Sequence, residues 1–137
     1  MADKLSLEVV TPEKIVLSED NAEMVISPGE LGDFGVLKGH TPFLTSLRMG
    51  VLRFINKDNQ EKAVFIKGGF AEALPDKVTI LADAAENSDE IDLDRAQKAK
   101  ERALERLENV ASDEQIDSKR AHKALQRAEI RIKLALV

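Results

Sequence analysis

The chain predicts an α+β protein, with a β-sandwich or flattened barrel over residues 1–86 and an antiparallel two-helix hairpin over residues 87–137. Three observations predict it. Apolar residues alternate with polar ones, and Gly and Pro break the pattern often, up to about residue 85. Beyond residue 90 the apolar spacing becomes helical. The segment Ile91–Leu107, IDLDRAQKAKERALERL, also has an echo 25 residues later in Ile116–Ile132, IDSKRAHKALQRAEIRI, with nine of seventeen positions identical.

Leu5, Leu7 and Val9 alternate with Lys4, Ser6 and Glu8, the pattern of a half-buried strand. Pro12 ends it. Ile15 and Leu17 repeat the pattern, as do Met24 and Ile26 before Ser27-Pro28-Gly29. The runs Val51–Ile55 and Lys62–Lys67 flank the polar turn Asn56-Lys57-Asp58-Asn59 and predict a hairpin. Gly68-Gly69 suggests a bulge. Leu74-Pro75-Asp76-Lys77 reads as a turn leading to Val78, Ile80 and Ala82. The glycine-rich stretch Gly29–Thr45, GELGDFGVLKGHTPFLT, reads as a long irregular loop and a contact surface. It lacks the GxxxxGK[ST] pattern of a phosphate cradle. His40 has no neighbour at metal-ligand spacing and fits a turn residue whose ring bonds backbone.

The net charge of −5, the absence of Trp and Tyr, and only five Phe argue against a nucleic-acid partner. The chain has no cysteine, which excludes disulfides. No apolar run reaches the ~18 residues that span a bilayer, so direct membrane insertion is not expected. The N-terminal residues do not read as a signal peptide. No nucleophile–base pair or metal constellation suggests an enzyme.

In the helical half, Leu93, Ala96, Ala103, Leu104, Leu107, Val110 and Ala111 share one face. Ala121, Ala124, Leu125, Ala128, Ile132 and Ala135 share another. Ser112-Asp113-Glu114-Gln115 reads as a capping box that starts the second helix. Residues 89–114 hold nine acids and five bases, and residues 116–137 hold two acids and six bases, so antiparallel helices attract. Two helices with an alanine stripe bury too little to stand alone, so the hairpin needs a docking partner and is free to be mobile. A turn near residue 113 sets Arg131 opposite Arg95, with Arg102 and Arg127 nearby. Four guanidiniums so placed repel unless acids or a bound anion answer them. Two readings stay open on spacing alone. One is an oxyanion site suited to phosphate; the other is a solvated basic face beside an alanine packing seam.

Over essentially its whole length the chain resembles the epsilon subunits of bacterial rotary ATP synthases. The resemblance rests on Gly32–Thr45 (GDFGVLKGHTPFLT), Gly50–Arg53 (GVLR), Gly68–Glu72 (GGFAE) and Val78–Asp83 (VTILAD). Lys38 departs from the family, which usually has proline there. The resemblance implies a sandwich of about ten strands and a non-catalytic place in the central stalk. The implied partners are the gamma subunit and the c-subunit ring, reached through Glu30, Asp33, Phe34 and His40. It implies a hairpin that inhibits ATP hydrolysis when extended toward the alpha and beta subunits, with Lys119, Arg120, Lys123 and Arg127 meeting beta. No cofactor is required. ATP is implied as a regulatory ligand of the folded-down hairpin, held by Glu86, Ile91, Asp92, Arg95, Ala96, Arg102, Arg127 and Arg131. The implied location is peripheral, on the cytoplasmic face of the bacterial inner membrane. The alternatives are a structural stalk subunit whose hairpin ignores ATP and a freestanding nucleotide-sensing module.

Overall fold

The computed structural model describes residues 4–112 and 116–136. The chain separates into two compact units, residues 1–88 and 89–137.

The first unit is built from β1 (Leu5–Val10), β2 (Ile15–Ala22), β3 (Val25–Gly29), β4 (Gly32–Val36), β5 (Phe43–Leu47), β6 (Gly50–Ile55), β7 (Glu61–Ile66), β8 (Gly69–Leu74), β9 (Lys77–Ala82) and β10 (Ala85–Asn87). They join into a ten-stranded sheet in the order β10-β7-β6-β3-β5-β8-β9-β1-β2, with β4 paired to β3. The sheet doubles over a core that draws Leu5, Leu7 and Val9 from β1, Leu52 and Phe54 from β6, and Val78 and Ile80 from β9. Alternation is the cause: along β1 every second residue is buried. All the pairings are antiparallel except β1 with β9, which run parallel with Leu7 beside Val78. The end strands β2 and β10 approach each other, and Asn87 Nδ2 donates to Val16 O at 3.1 Å.

Several local expectations change. Gly29–Thr45 is not one irregular loop. Gly32–Val36 is strand β4, paired with β3 from Val25↔Val36 to Gly29↔Gly32, leaving Glu30-Leu31 as a tight turn. Glycines at 32 and 35 hid the alternation. In β3 the inward face carries Val25 and Ser27, while Met24 lies exposed, so the expected parity was off by one residue. Ile15 is also exposed, because it opens end strand β2. The Asn56 turn forms as expected: Asn56 Oδ1 accepts from Asp58 N at 3.0 Å and Gln60 N at 2.9 Å.

Gly68-Gly69 forms a corner between β7 and β8 rather than a bulge within a strand. Gly69 has φ 128°, and a Cβ there would sit 2.1 Å from Leu81 O.

The second unit holds a short 3-10 turn (Ser88–Glu90) and the helices α1 (Leu93–Glu108) and α2 (Ser118–Ala135), which pack on one another. Their buried residues are Ala96 and Ala103 on α1 and Ala121, Ala128 and Leu134 on α2. Leu104, expected on the packed face, is 42% exposed. Of the expected capping box, residues 113–115 lie outside the described residues. The start of α2 is capped by Asp117, while Ser112 Oγ donates to Asn109 O.

Gly69→Ala should lower stability by at least about 2 kcal/mol in equilibrium urea unfolding. Gly35→Ala, whose added Cβ meets nothing nearer than Ile26 Cγ1 at 4.0 Å, should cost far less. Equal effects would mean that the Gly69 corner relaxes freely.

Candidate functional site

Two regions carry the residues singled out from sequence, one in each unit. In the sandwich, β4 and the segment between β4 and β5 bring Asp33, Phe34 and His40 to one hollow, while Glu30, on the β3–β4 turn, is not among its lining residues. Gly29, Leu31, Asp33, Phe34, His40 and Phe43 are among the residues lining this shallow hollow of about 370 Å³. Its floor is aromatic. Phe34 and Phe43 meet edge to face at 5.3 Å, and His40 meets Phe43 edge to face at 5.0 Å. His40 Nδ1 lies 2.7 Å from Thr41 O. A carbonyl only accepts, so Nδ1 donates this bond.

The two acids of the turn are held from the neighbouring strand side. Arg48 Nη2 donates to Asp33 Oδ1 in an ion pair. Ser46 Oγ donates to Glu30 Oε2 at 2.7 Å. The turn is thus fastened to β5 and the residue after it, and its carboxylates point in fixed directions. Leu31 stands fully exposed at the apex. Sequence reasoning missed Arg48, Ser46 and Phe43 as partners of this surface, because their role depends on strand pairing that composition does not reveal.

It also missed an apolar face. Phe70 and Leu81 are cross-strand partners on β8 and β9, and both are 54% exposed. Leu44, on adjacent β5 and 69% exposed, is paired with Glu72. The signal was present in GFAEAL: Glu72 must face out, so Phe70 and Leu74 share its side while Ala71 and Ala73 fill the core. Large side chains outside and alanines inside invert the usual order.

The hairpin carries the arginines. Asp92 and Asp117 cap their helices in nearly the same way, with φ/ψ of −81°/101° and −84°/105°. Each carboxylate accepts from the backbone N–H three residues on, Arg95 N or Arg120 N, at 3.1 Å. The echo in sequence is therefore an echo in structure. Arg106 and Arg120 line one groove. Arg95 and Arg102 are exposed, and Arg127 and Arg131 are half-buried. The ion pair formed within α1 is Lys98–Asp94 at 3.2 Å. Among the described residues, Arg95, Arg102 and Arg127 have no acidic side-chain partner. Ile91 is half-buried ahead of the Asp92 cap, and Ala96 is buried. Glu86 lies on β10 in the first unit. Lys119, Arg120 and Lys123 are exposed along α2. No helix among the described residues is long and apolar enough to cross a membrane.

The profile described as "ATP synthase, Delta/Epsilon chain, beta-sandwich domain" matches residues 4–88, and that described as "ATP synthase, Delta/Epsilon chain, long alpha-helix domain" matches residues 89–135. The chain belongs to this family, as an epsilon-type, non-catalytic subunit of the ATP synthase central stalk. It is 54% identical over 109 residues to the "ATP synthase epsilon chain" of Desulfosudis oleivorans, covering 80% of this chain and 81% of that one. It is 56% identical over 109 residues to the protein of the same name from Desulfatibacillum aliphaticivorans, covering 80% and 77%. In fold it is similar to a chain of the Euglena gracilis mitochondrial ATP synthase, with TM-score 0.80 and 24% identity, covering 98% of this chain and 82% of that one.

Asp117→Ala should destabilise α2 by about 1 kcal/mol, read as lost helical signal at elevated temperature, whereas Asp117→Asn should retain most of the stability. Unchanged melting in both would mean that the cap at Asp117 contributes nothing.

Proposed function

We propose that this stalk subunit joins the rotor through its sandwich and regulates ATP hydrolysis through its hairpin, with ATP as the signal. The observation that carries the regulatory part is the set of arginines across the hairpin that lack acidic partners among the described residues: Arg95, Arg102 and Arg127. Guanidiniums gathered without counter-charge favour an anion that takes paired hydrogen bonds, and phosphate oxygens suit them. Asp92 and Ile91 would offer an acceptor and an apolar edge for the rest of the nucleotide.

ATP would touch both helices only when they lie together and folded down, and would favour that state by its differential affinity for it. When ATP is scarce, the hairpin would extend toward the alpha and beta subunits. The basic α2 face of Lys119, Arg120, Lys123 and Arg127 would then meet acidic surface on beta and hinder hydrolysis.

For the sandwich, the fixed carboxylates of Glu30 and Asp33, with Phe34, His40 and the exposed Leu31, form a contact surface toward the c-subunit ring and the foot of gamma. The apolar face of Leu44, Phe70 and Leu81 suits a second contact with gamma, since such a face is costly to leave in water. The solved chain with the higher structural similarity comes from a preparation described as OSCP/F1/c-ring, and a second, from Tetrahymena thermophila, as central stalk/c-ring (TM-score 0.62, 15% identity, 96% of each chain). These support the rotor reading. The location would be peripheral, on the cytoplasmic face of the bacterial inner membrane.

Isothermal titration of the intact chain should show saturable one-to-one ATP binding that is weaker for ADP. Arg127→Ala should weaken it by at least about tenfold, the range for losing a charged hydrogen bond. An unchanged ATP response in that variant would overturn the regulatory reading. Phe70→Asp with Leu81→Asp should abolish co-purification with gamma while leaving ATP titration intact. Undiminished co-purification would remove the apolar face from the rotor contact.

A further inference from the structure

The hairpin repeats its own chemistry at both ends. Ile91-Asp92-x-x-Arg95-Ala96 opens α1, and Ile116-Asp117-x-x-Arg120-Ala121 opens α2. In two antiparallel helices with such an echo, an approximate twofold axis crosses the seam and exchanges the ends. It carries Arg95 onto Arg120 and Arg131 onto Arg106. The burial follows: Ile91 and Ile116 are half-buried, Asp92 and Asp117 exposed, and Ala96 and Ala121 buried. The two caps agree within a few degrees of φ and ψ.

At the α2 end this arrangement encloses a groove of about 240 Å³, lined by Arg106, Ile116, Asp117, Arg120 and Ala121. Arg106 comes from one helix and Arg120 from the other, so the groove straddles the seam. Neither guanidinium has a hydrogen-bonding or acidic partner among the described residues. The carboxylate of Asp117 is already used by Arg120 N. Among the described residues that line the groove, two guanidiniums meet one carboxylate. The groove's volume falls below the ~300–1,000 Å³ of pockets that engulf a whole drug-sized ligand. It therefore suits the phosphate end of a molecule. Two arginine forks offer more donors than a single carboxylate can accept, whereas adjacent phosphates present enough oxygens for both.

We infer that this groove, formed by Arg106, Ile116, Asp117, Arg120 and Ala121, is a second oxyanion site that takes a di- or triphosphate group. It stands on its own residues and does not depend on the ATP reading, since neither Arg102 nor Arg127 lines it.

The test is a titration of the intact, isotopically labelled chain with inorganic pyrophosphate, followed at the backbone amides of residues 116–121, and then with ATP. Pyrophosphate should shift these amides saturably. The pair Arg106→Ala with Arg120→Ala should weaken the response by at least about tenfold, with far-ultraviolet circular dichroism confirming an intact hairpin. Arg127→Ala should leave it unchanged, so failure of the ATP reading and failure of this one are separable. Replacing both arginines by lysine should give an intermediate response, because charge is kept and the fork is lost. A response to ATP that also depends on Arg106 and Arg120 would identify nucleotide as a source of the phosphates; a response to pyrophosphate alone would identify the inorganic anion. No saturable shift into the millimolar range would overturn the proposal. So would an undiminished shift in the double alanine variant, which would assign the effect to the bare helix start.

Discussion

The seam of small side chains between the helices is the constraint on which the second unit depends. Ala96, Ala103, Ala121 and Ala128 are all buried, and each pair is spaced by two helical turns. Where a seam is lined by methyl groups, two helices approach to the lower end of the ~8–10 Å range of packed axes. That close approach brings the long side chains flanking the seam within reach of one another across it, and here those side chains are arginines. The same economy limits stability, because alanine removes little apolar surface from water. A hairpin so built holds together weakly through its own contacts. Charge concentration and marginal packing thus have one origin.

The sandwich follows the opposite logic. Leu5, Leu7, Val9, Leu52, Val64, Ile66, Val78 and Ile80 are all essentially inaccessible to water. On that rigid support the turn at Glu30-Leu31 is pinned by Ser46 and Arg48, so its acids are oriented before any partner arrives. Exposed ion pairs contribute little to stability. The Arg48–Asp33 pair is better understood as fixing direction, which lowers the ordering cost of binding.

Much of this architecture was legible in the sequence, for identifiable reasons. Strands such as β1, with clean alternation, declared both their existence and their inward face. The helices declared themselves by spacing and by the repeated Ile-Asp opening. What failed to show was structure carried by glycine, as in β4, where two of five residues have no side chain to report a face. The parity of β3 was misjudged because the inward residue is Ser27, a hydroxyl in a fully buried position. Glu30 and Asp33 stood out by their motif, but Arg48 and Ser46 became their partners only through the pairing of distant strands. The second groove was half visible: the repeated motif was on the page, yet only the register of the helices set Arg106 beside Arg120.

The parallel pairing of β1 with β9 has a consequence for how the chain is made. Strand β1 is flanked by β2 on one side and, on the other, by a strand some seventy residues later, with Lys77 donating to Glu8 across that interval. Until β9 emerges, β1 and its apolar face of Leu5, Leu7 and Val9 lack half of their shelter. Closure of the sandwich is therefore a late, long-range event that pays its loop entropy in one step. By then most of the chain preceding the hairpin has been synthesised. Synthesis thus runs from the sandwich to the hairpin, and the hairpin follows a sheet that has only just become able to close.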